Sequence, residues 1–323
     1  MTPGLASCRG SFTFSPQSTL PTQCEKEPRL ITSTSETTEF TADPKVRSPY
    51  CFRFSTNSLL AGIGFGQYAG KVSKELGLTK WFTVGADYAF GRDMVSMFME
   101  FLKKSNPAVE IKGQAWPKLF EPDYTPQITA IMAANPQAIM SSLWGADLIA
   151  FIKQGAMYGL FEKVKFFSTH LADDETIQSV TKAVGKFPAG LYARVRCLRT
   201  APDTPANHDF YDSYMKRFNV PPLYWAYMNY LGALSIEAAV RKARSVDNDK
   251  VIKALEGLSV KAPGGTGPGE TITMRARDHQ LINYTEASGV TISRPPYLTN
   301  VVYNPWDKMI EEETWWLKKK GWL

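Results

Sequence analysis

The chain has 323 residues, of which 44% are hydrophobic, 12% aromatic and 21% charged. That length allows two domains, and the balance is that of a globular chain, neither disordered nor collagen-like. Lys and Arg number 37 against 31 Asp and Glu, a net charge of +6. The charges are scattered and the densest run, Lys318-Lys319-Lys320, is short and terminal, which argues against a nucleic-acid footprint. No stretch of about eighteen apolar residues is present to span a bilayer.

Residues 1–17 (MTPGLASCRGSFTFSPQ) are small and polar without periodicity. They read as a disordered tail or a misplaced start, without the basic start, apolar core and small-residue cleavage site of a signal peptide. The four cysteines, Cys8, Cys24, Cys51 and Cys197, show no finger spacing, so structural zinc is not expected. Arg29–Thr32 predicts a short buried strand, Ser33–Thr38 a hydroxyl-rich loop and Cys51–Phe54 a second strand. A helix over 58–76 follows. Next come strand Trp81–Val84, loop Asp87–Gly91, helix Met94–Leu102, strand Val109–Ile111 and helix Tyr124–Ala133, closed by Asn135-Pro136. Strand Ala138–Met140, helix Asp147–Met157 closed by Gly159, and strand Val164–Phe167 repeat the unit. Gly190–Val195 is a further strand, 206–218, 224–244 and 249–256 are helices, and Leu281–Thr285 and Leu298–Tyr303 are strands. Strands separated by helices of about ten to fifteen residues imply crossover connections and a largely parallel, doubly wound α/β sheet.

Ligands of such sheets sit at the carboxyl ends of the strands. The loops there are Ser33–Glu36, Asp87–Phe90, Ser141–Trp144, Ser168–His170 and Arg194–Arg196. Catalytic patterns are weak. Gly62-Ile-Gly64-Phe-Gly66 lacks the third-glycine spacing of a dinucleotide loop and reads as close helix packing. Gly264-Gly265-Thr-Gly267-Pro-Gly269 reads as a turn. Neither a GxxxxGK[ST] loop nor a GxSxG elbow is present. His170, His208 and His279 are not spaced as metal ligands, and no metal or cofactor is expected. The acids Asp173, Asp174 and Glu175 after His170 suggest either acid–base chemistry or, the simpler expectation, capping of the next helix. Trp144 stands at a loop–helix junction rather than on an apolar stripe, which suits a ligand-facing ring.

Phe52-Arg53, Asp87-Tyr-Ala-Phe90-Gly91-Arg92, Ile139–Trp144, Ile152-Lys-Gln-Gly-Ala-Met-Tyr-Gly159-Leu and Arg275-Ala-Arg-Asp278-His-Gln280 follow one another in a familiar order. Over residues 18–303 the chain resembles the solute-binding proteins of ABC importers of the branched-chain amino acid type. The resemblance implies a two-lobed type I periplasmic-binding-protein fold, α/β with doubly wound largely parallel sheets, closing on a ligand like a hinged trap. It implies no catalytic activity. Crossovers would fall at Tyr50–Phe54, Arg194–Cys197 and Leu281–Tyr284. Residues 18–52 and 197–280 would form lobe 1, and 55–195 and 283–323 lobe 2. Lobe 1 is expected to be incomplete, because the family's lobe begins with further strands and a signal peptide.

By position, the family's carboxylate-binding Ser/Thr loop corresponds to Thr34, Ser35 and Glu36, and its closing aromatics to Phe90 and Trp144. The acid that meets an amino acid's ammonium corresponds to His170. A His cannot replace that charge, whereas a protonated His170 would pair with a carboxylate. The expected ligand is therefore an apolar or aromatic carboxylate. The alternative is a branched-chain amino acid with Glu36 on its ammonium. The implied partner is an ABC permease of the inner membrane, the location periplasmic, and the state a monomer without nucleic acid. A ligand-sensing domain on the same fold, or an enzyme using His170, are the other readings. The resemblance also sets Cys51 and Cys197 on neighbouring crossovers, with two buried free thiols expected and a disulfide as the alternative.

Overall fold

The computed structural model describes residues 30–33 and 36–323. The tail expected over 1–17 lies outside the described residues. The chain divides into two compact units. The described residues through Asn57, Tyr224–Tyr284 and Thr314–Leu323 form unit 1, and Ser58–Leu223 with Thr285–Glu313 form unit 2. Residues 197–223, expected with the first lobe, thus fall in unit 2, and Thr314–Leu323, expected with the second, fall in unit 1.

Unit 1 begins with strand β1 (Ile31–Ser33), the short helix α1 (Glu39–Ala42) and strand β2 (Cys51–Arg53). β1 and β2 pair in parallel, Ile31 opposite Cys51. Cys51 is disulfide-bonded, which corrects the expectation of a free thiol there. Its partner is not Cys197, which is free and buried.

Unit 2 starts with helix α2 (Ser58–Leu76), strand β3 (Lys80–Val84), helix α3 (Ala89–Ser105), strand β4 (Glu110–Ala115) and helix α4 (Thr125–Ala134). α4 ends as its sequence suggests: Asn135 adopts the left-handed conformation (φ 44°), and its N–H reaches the last carbonyls. Strand β5 (Ala138–Ser141), helices α5 (Gly145–Met157) and α6 (Leu160–Lys163), strand β6 (Lys165–Asp173), helix α7 (Asp174–Val184), strand β7 (Tyr192–Cys197) and helix α8 (Pro205–Phe218) follow. Strand β6 runs to Asp173, well beyond the expected end at Phe167.

α8 belongs with unit 2 because its side chains return to the end of β7 and to the loop that follows it. Asn207 Nδ2 donates to the carbonyls of Leu198, Arg199 and Pro202 at 2.9–3.0 Å, and the Tyr211 hydroxyl lies 2.6 Å from Cys197 Sγ.

Unit 1 resumes with helices α9 (Tyr224–Ala243) and α10 (Asn248–Leu255), then strands β8 (Ser259–Lys261), β9 (Thr271–Met274) and β10 (Leu281–Ile282), an antiparallel sheet in the order β10-β9-β8. The Arg275–Gln280 segment is the unit's fastening. Arg275 forks onto Asp278 at 2.6 and 2.7 Å, and Gln280 Nε2 donates to the carbonyl of Ser55 at 2.8 Å. Strands β11 (Ala287–Thr291) and β12 (Leu298–Tyr303) return to unit 2, and helix α11 (Trp306–Lys320) begins there and ends in unit 1.

The unit 2 sheet has the order β12-β11-β7-β6-β5-β3-β4, parallel from β4 to β7 and antiparallel at β11 and β12. Its strands alternate with period two. Phe82, Val84, Ile139 and Phe166 face a core filled from α4, α5 and α7 by Ile128, Phe151 and Val180. Trp81, Met140 and Phe167 face the opposite core, filled from α2 and α3 by Phe65 and Phe98. Both faces are covered, as a parallel sheet requires.

Candidate functional site

The carboxyl ends of β3, β5 and β6 are neighbours in the unit 2 sheet; β3 and β5 are each followed by a loop that opens a helix, and β6 runs straight into one. After β3, the Asp87 turn is held by Arg92, whose Nε donates to Asp87 Oδ1 at 2.8 Å while its guanidinium stacks 4.5 Å over Trp116. Gly91 sits where a side chain would collide with the Ala86 carbonyl oxygen at 2.1 Å, so only glycine allows this loop its close turn. α3 then starts behind Tyr88 and α5 behind Trp144, each an extended N-cap whose side chain makes no cap hydrogen bond. Aromatics are poor caps. Their rings are left to meet each other instead.

They form a row. Trp144 Nε1 donates to the Tyr88 hydroxyl at 2.7 Å. The Tyr88 and Phe90 rings are 5.9 Å apart, and Phe90 meets His170 edge-on at 5.6 Å. Tyr88 and Trp144 are half-buried, while Phe90 and His170 are buried. The structure therefore brings together three of the predicted residues, Phe90, Trp144 and His170. The link between them is Tyr88, which lay inside a candidate loop but was not singled out. Its signal was its position two residues before Phe90 at a strand end, and nothing local shows that it reaches Trp144.

Behind the row lies a buried charge cluster. Arg196 pairs with Asp173, and Arg194 pairs with Glu286, its Nε donating to Oε2 at 2.8 Å. His170 Nδ1 is 2.6 Å from Thr169 Oγ1. Burial and the Arg196 and Arg194 charges pull the His170 pKa well below 6.5, against the opposing charge of Asp173. His170 is thus a neutral imidazole at neutral pH, which corrects the expectation of a protonated partner for a carboxylate. The acidic run does begin α7, but Asp173 makes no side-chain cap bond. Its carboxylate serves Arg196, and Asp174 accepts the Arg199 N–H at 3.1 Å.

Of the other predicted residues, Thr34 and Ser35 lie outside the described residues. Glu36 is buried in unit 1. The remaining histidines are placed without reference to the row. His279 stacks on Phe52 at 3.9 Å in unit 1, and His208 pairs with Asp203 at 2.7 Å. Among the described residues no group of three or more His, Cys, Asp or Glu is arranged to hold a metal.

The sheet end thus carries a row of rings backed by two buried ion pairs. The family model described as periplasmic binding protein matches residues 19–289, and the chain belongs to that family. Leu/Ile/Val-binding protein homolog 4 of Brucella abortus (strain 2308) is 25% identical over 240 residues, 72% of this chain and 53% of that protein. The chain spans about half the length of the curated relatives it matches. Among solved structures, a solute binding protein of an ABC transporter from Rhodopseudomonas palustris BisB5, in complex with 3,4-dihydroxybenzoic acid, superposes with a TM-score of 0.74. It is 22% identical, over 89% of this chain and 74% of that one. The closed leucine-, isoleucine-, valine-, threonine- and alanine-binding protein of Brucella ovis gives 0.69 at 20% identity, over 89% and 72%. At these identities the likeness is one of fold.

Proposed function

We propose that this chain is the substrate-binding component of an ABC importer, a monomer working in the periplasm and delivering a small ligand to an inner-membrane permease. The observation that carries the reading is the row Trp144–Tyr88–Phe90–His170 at the carboxyl end of the unit 2 sheet. No helix among the described residues is long and apolar enough to cross a membrane. The ligand class we favour is an apolar or aromatic carboxylate. Flat faces suit a planar body, and stacking adds about 0.5–1.5 kcal/mol beyond area burial. A neutral His170 offers no charge to a buried ammonium, and the nearby Asp173 is engaged by Arg196. The Rhodopseudomonas structure holds such an acid, which supports the class. The second reading, a branched-chain amino acid with Glu36 on its ammonium, draws on the Brucella relatives.

Calorimetry with 3,4-dihydroxybenzoate and with leucine decides between them. Micromolar binding of the acid is expected. Leucine binding without a response to the acid overturns the ligand class. Trp144→Ala should weaken whichever ligand binds by about ten-fold or more, the loss of a ring's stacking and buried area.

A further inference from the structure

We infer that Tyr88 is a positioning residue whose hydroxyl sets the orientation of the Trp144 indole and so the shape of the face offered to a ligand. The inference rests on the reading that Trp144 lines the site. The indole carries one polar atom, a donor, and the Tyr88 oxygen takes it at 2.7 Å across 56 residues of sequence.

Tyr88 is itself held in place. Its N–H donates to the Ala86 carbonyl at 2.8 Å, and its carbonyl accepts the Arg92 N–H at 3.1 Å, so the backbone is fixed on both sides. Its ring packs against hydrophobic cores on both faces of the sheet and lies 5.9 Å from Phe90. Trp144 follows Leu143, whose N–H is 3.3 Å from Ser141 Oγ, and precedes Gly145, which takes a positive φ of 54°. Its carbonyl accepts the Leu148 N–H at 3.4 Å at the mouth of α5, and its half-buried ring packs against the core of Phe65 and Phe98.

A half-buried indole without this acceptor turns its N–H toward water, which rotates the ring away from the row. The two residues also tie together the first turns of the helices that follow β3 and β5. The hydrogen bond that orients the Trp144 indole therefore comes from the loop after β3, 56 residues away in sequence.

The test uses the full chain with 3,4-dihydroxybenzoate and leucine as probes. Tyr88→Phe keeps the ring and removes only the hydroxyl, so thermal melting should hardly move. Affinity for whichever probe binds should fall about three- to ten-fold, the range of one lost hydrogen bond. In a Trp144→Phe background, which has no N–H, Tyr88→Phe should change affinity less than two-fold. The Trp144 Nε1–H resonance, assigned by its loss in Trp144→Phe, should move and exchange faster in Tyr88→Phe without any ligand.

An unmoved resonance overturns the inference. So does a Tyr88→Phe loss that persists in the Trp144→Phe background, because the hydroxyl then touches the ligand itself. If Trp144→Ala abolishes binding and Tyr88→Phe leaves it intact, the inference fails alone. If Trp144→Ala leaves binding intact, the reading of the site fails and takes the positioning role with it.

Discussion

His170 and Asp174 sit four residues apart and are pushed in opposite directions by the same burial. Burial, with Arg196 beside it, lowers the His170 pKa well below 6.5. At Asp174 burial raises the pKa from 3.8 to about 6, with the Arg199 N–H opposing it and the Asp173 charge adding to it. Asp174 therefore binds its proton more tightly folded than unfolded. Its contribution to stability is fully present below pH 3.8 and is lost as pH rises through about 6. Asp174→Asn, which keeps the acceptor for Arg199, should stabilise the protein by about 1–3 kcal/mol at pH 8 and by nothing at pH 4. Thermal melts at the two pH values check it, and equal gains at both would remove the titration from the explanation. His170 carries the opposite sign: its stability is present above 6.5 and drains away as pH falls. Strand-end position identified His170 and the two aromatics in the sequence. Its neutrality was not legible, because it depends on arginines that are distant in sequence.

The glycine run Gly62-Ile-Gly64-Phe-Gly66 shows what a helix face can encode. A Cβ at Gly62 would lie 2.6 Å from the Met97 backbone carbon and one at Gly66 2.8 Å from the Phe98 carbonyl oxygen, so α2 and α3 touch backbone to backbone. Gly62→Ala gains about 1 kcal/mol of helix propensity but overpacks against backbone that cannot rotate away, at a cost of about 1–3 kcal/mol or more. A net loss of stability is expected. At Gly64 the nearest atom is the end of the Asn304 side chain, also at 2.6 Å, which can swing aside. Gly64→Ala should be close to neutral, and chemical denaturation of the two variants compares them directly. Other elements were hidden. β11 (Ala-Ser-Gly-Val-Thr) has no alternation to read, because the fold buries residues on both its faces. α11 has an apolar stripe of Trp306, Met309 and Trp316 interrupted by Glu313, which the fold buries at 1% exposure. A buried charge disguises a helix's inner face.

At the scale of the molecule, the chain passes between units after Asn57, Leu223, Tyr284 and Glu313. The third passage lies at the end of the expected Leu281–Tyr284 crossover, whereas the second comes well after β7, because α8 stays bound to the end of that strand through Tyr211 and to the loop after it through Asn207. The cysteines give a further handle. Cys51 is bonded, and Cys197 is a buried free thiol whose pKa burial pushes well above 9.0. Alkylation of the folded protein should leave Cys197 unlabelled. After denaturation without reductant, peptide mass mapping should find Cys197 modified and Cys51 unmodified, with Cys51 labelled only after reduction. Label on Cys51 before reduction would remove the disulfide, and with it one support for the oxidising compartment proposed above.

What the sequence determined by itself is what depends on neighbours along the chain. Strand–helix alternation is written in periods of two and about 3.6 residues, glycine spacing marks the close helix face, and the order of motifs carries the family. Tertiary structure alone decided which strand-end residues meet. Trp144 reaches Tyr88 because β3 and β5 lie side by side in the sheet, an order set by crossovers and covered faces. It also decided the charge on His170, because exclusion of water and the approach of Arg194 and Arg196 from β7 are properties of packing. The pairing of Asp173 with Arg196, which turned an expected helix cap into part of a buried ion pair, follows for the same reason: a carboxylate taken out of water seeks the nearest cation, whatever its place in the chain.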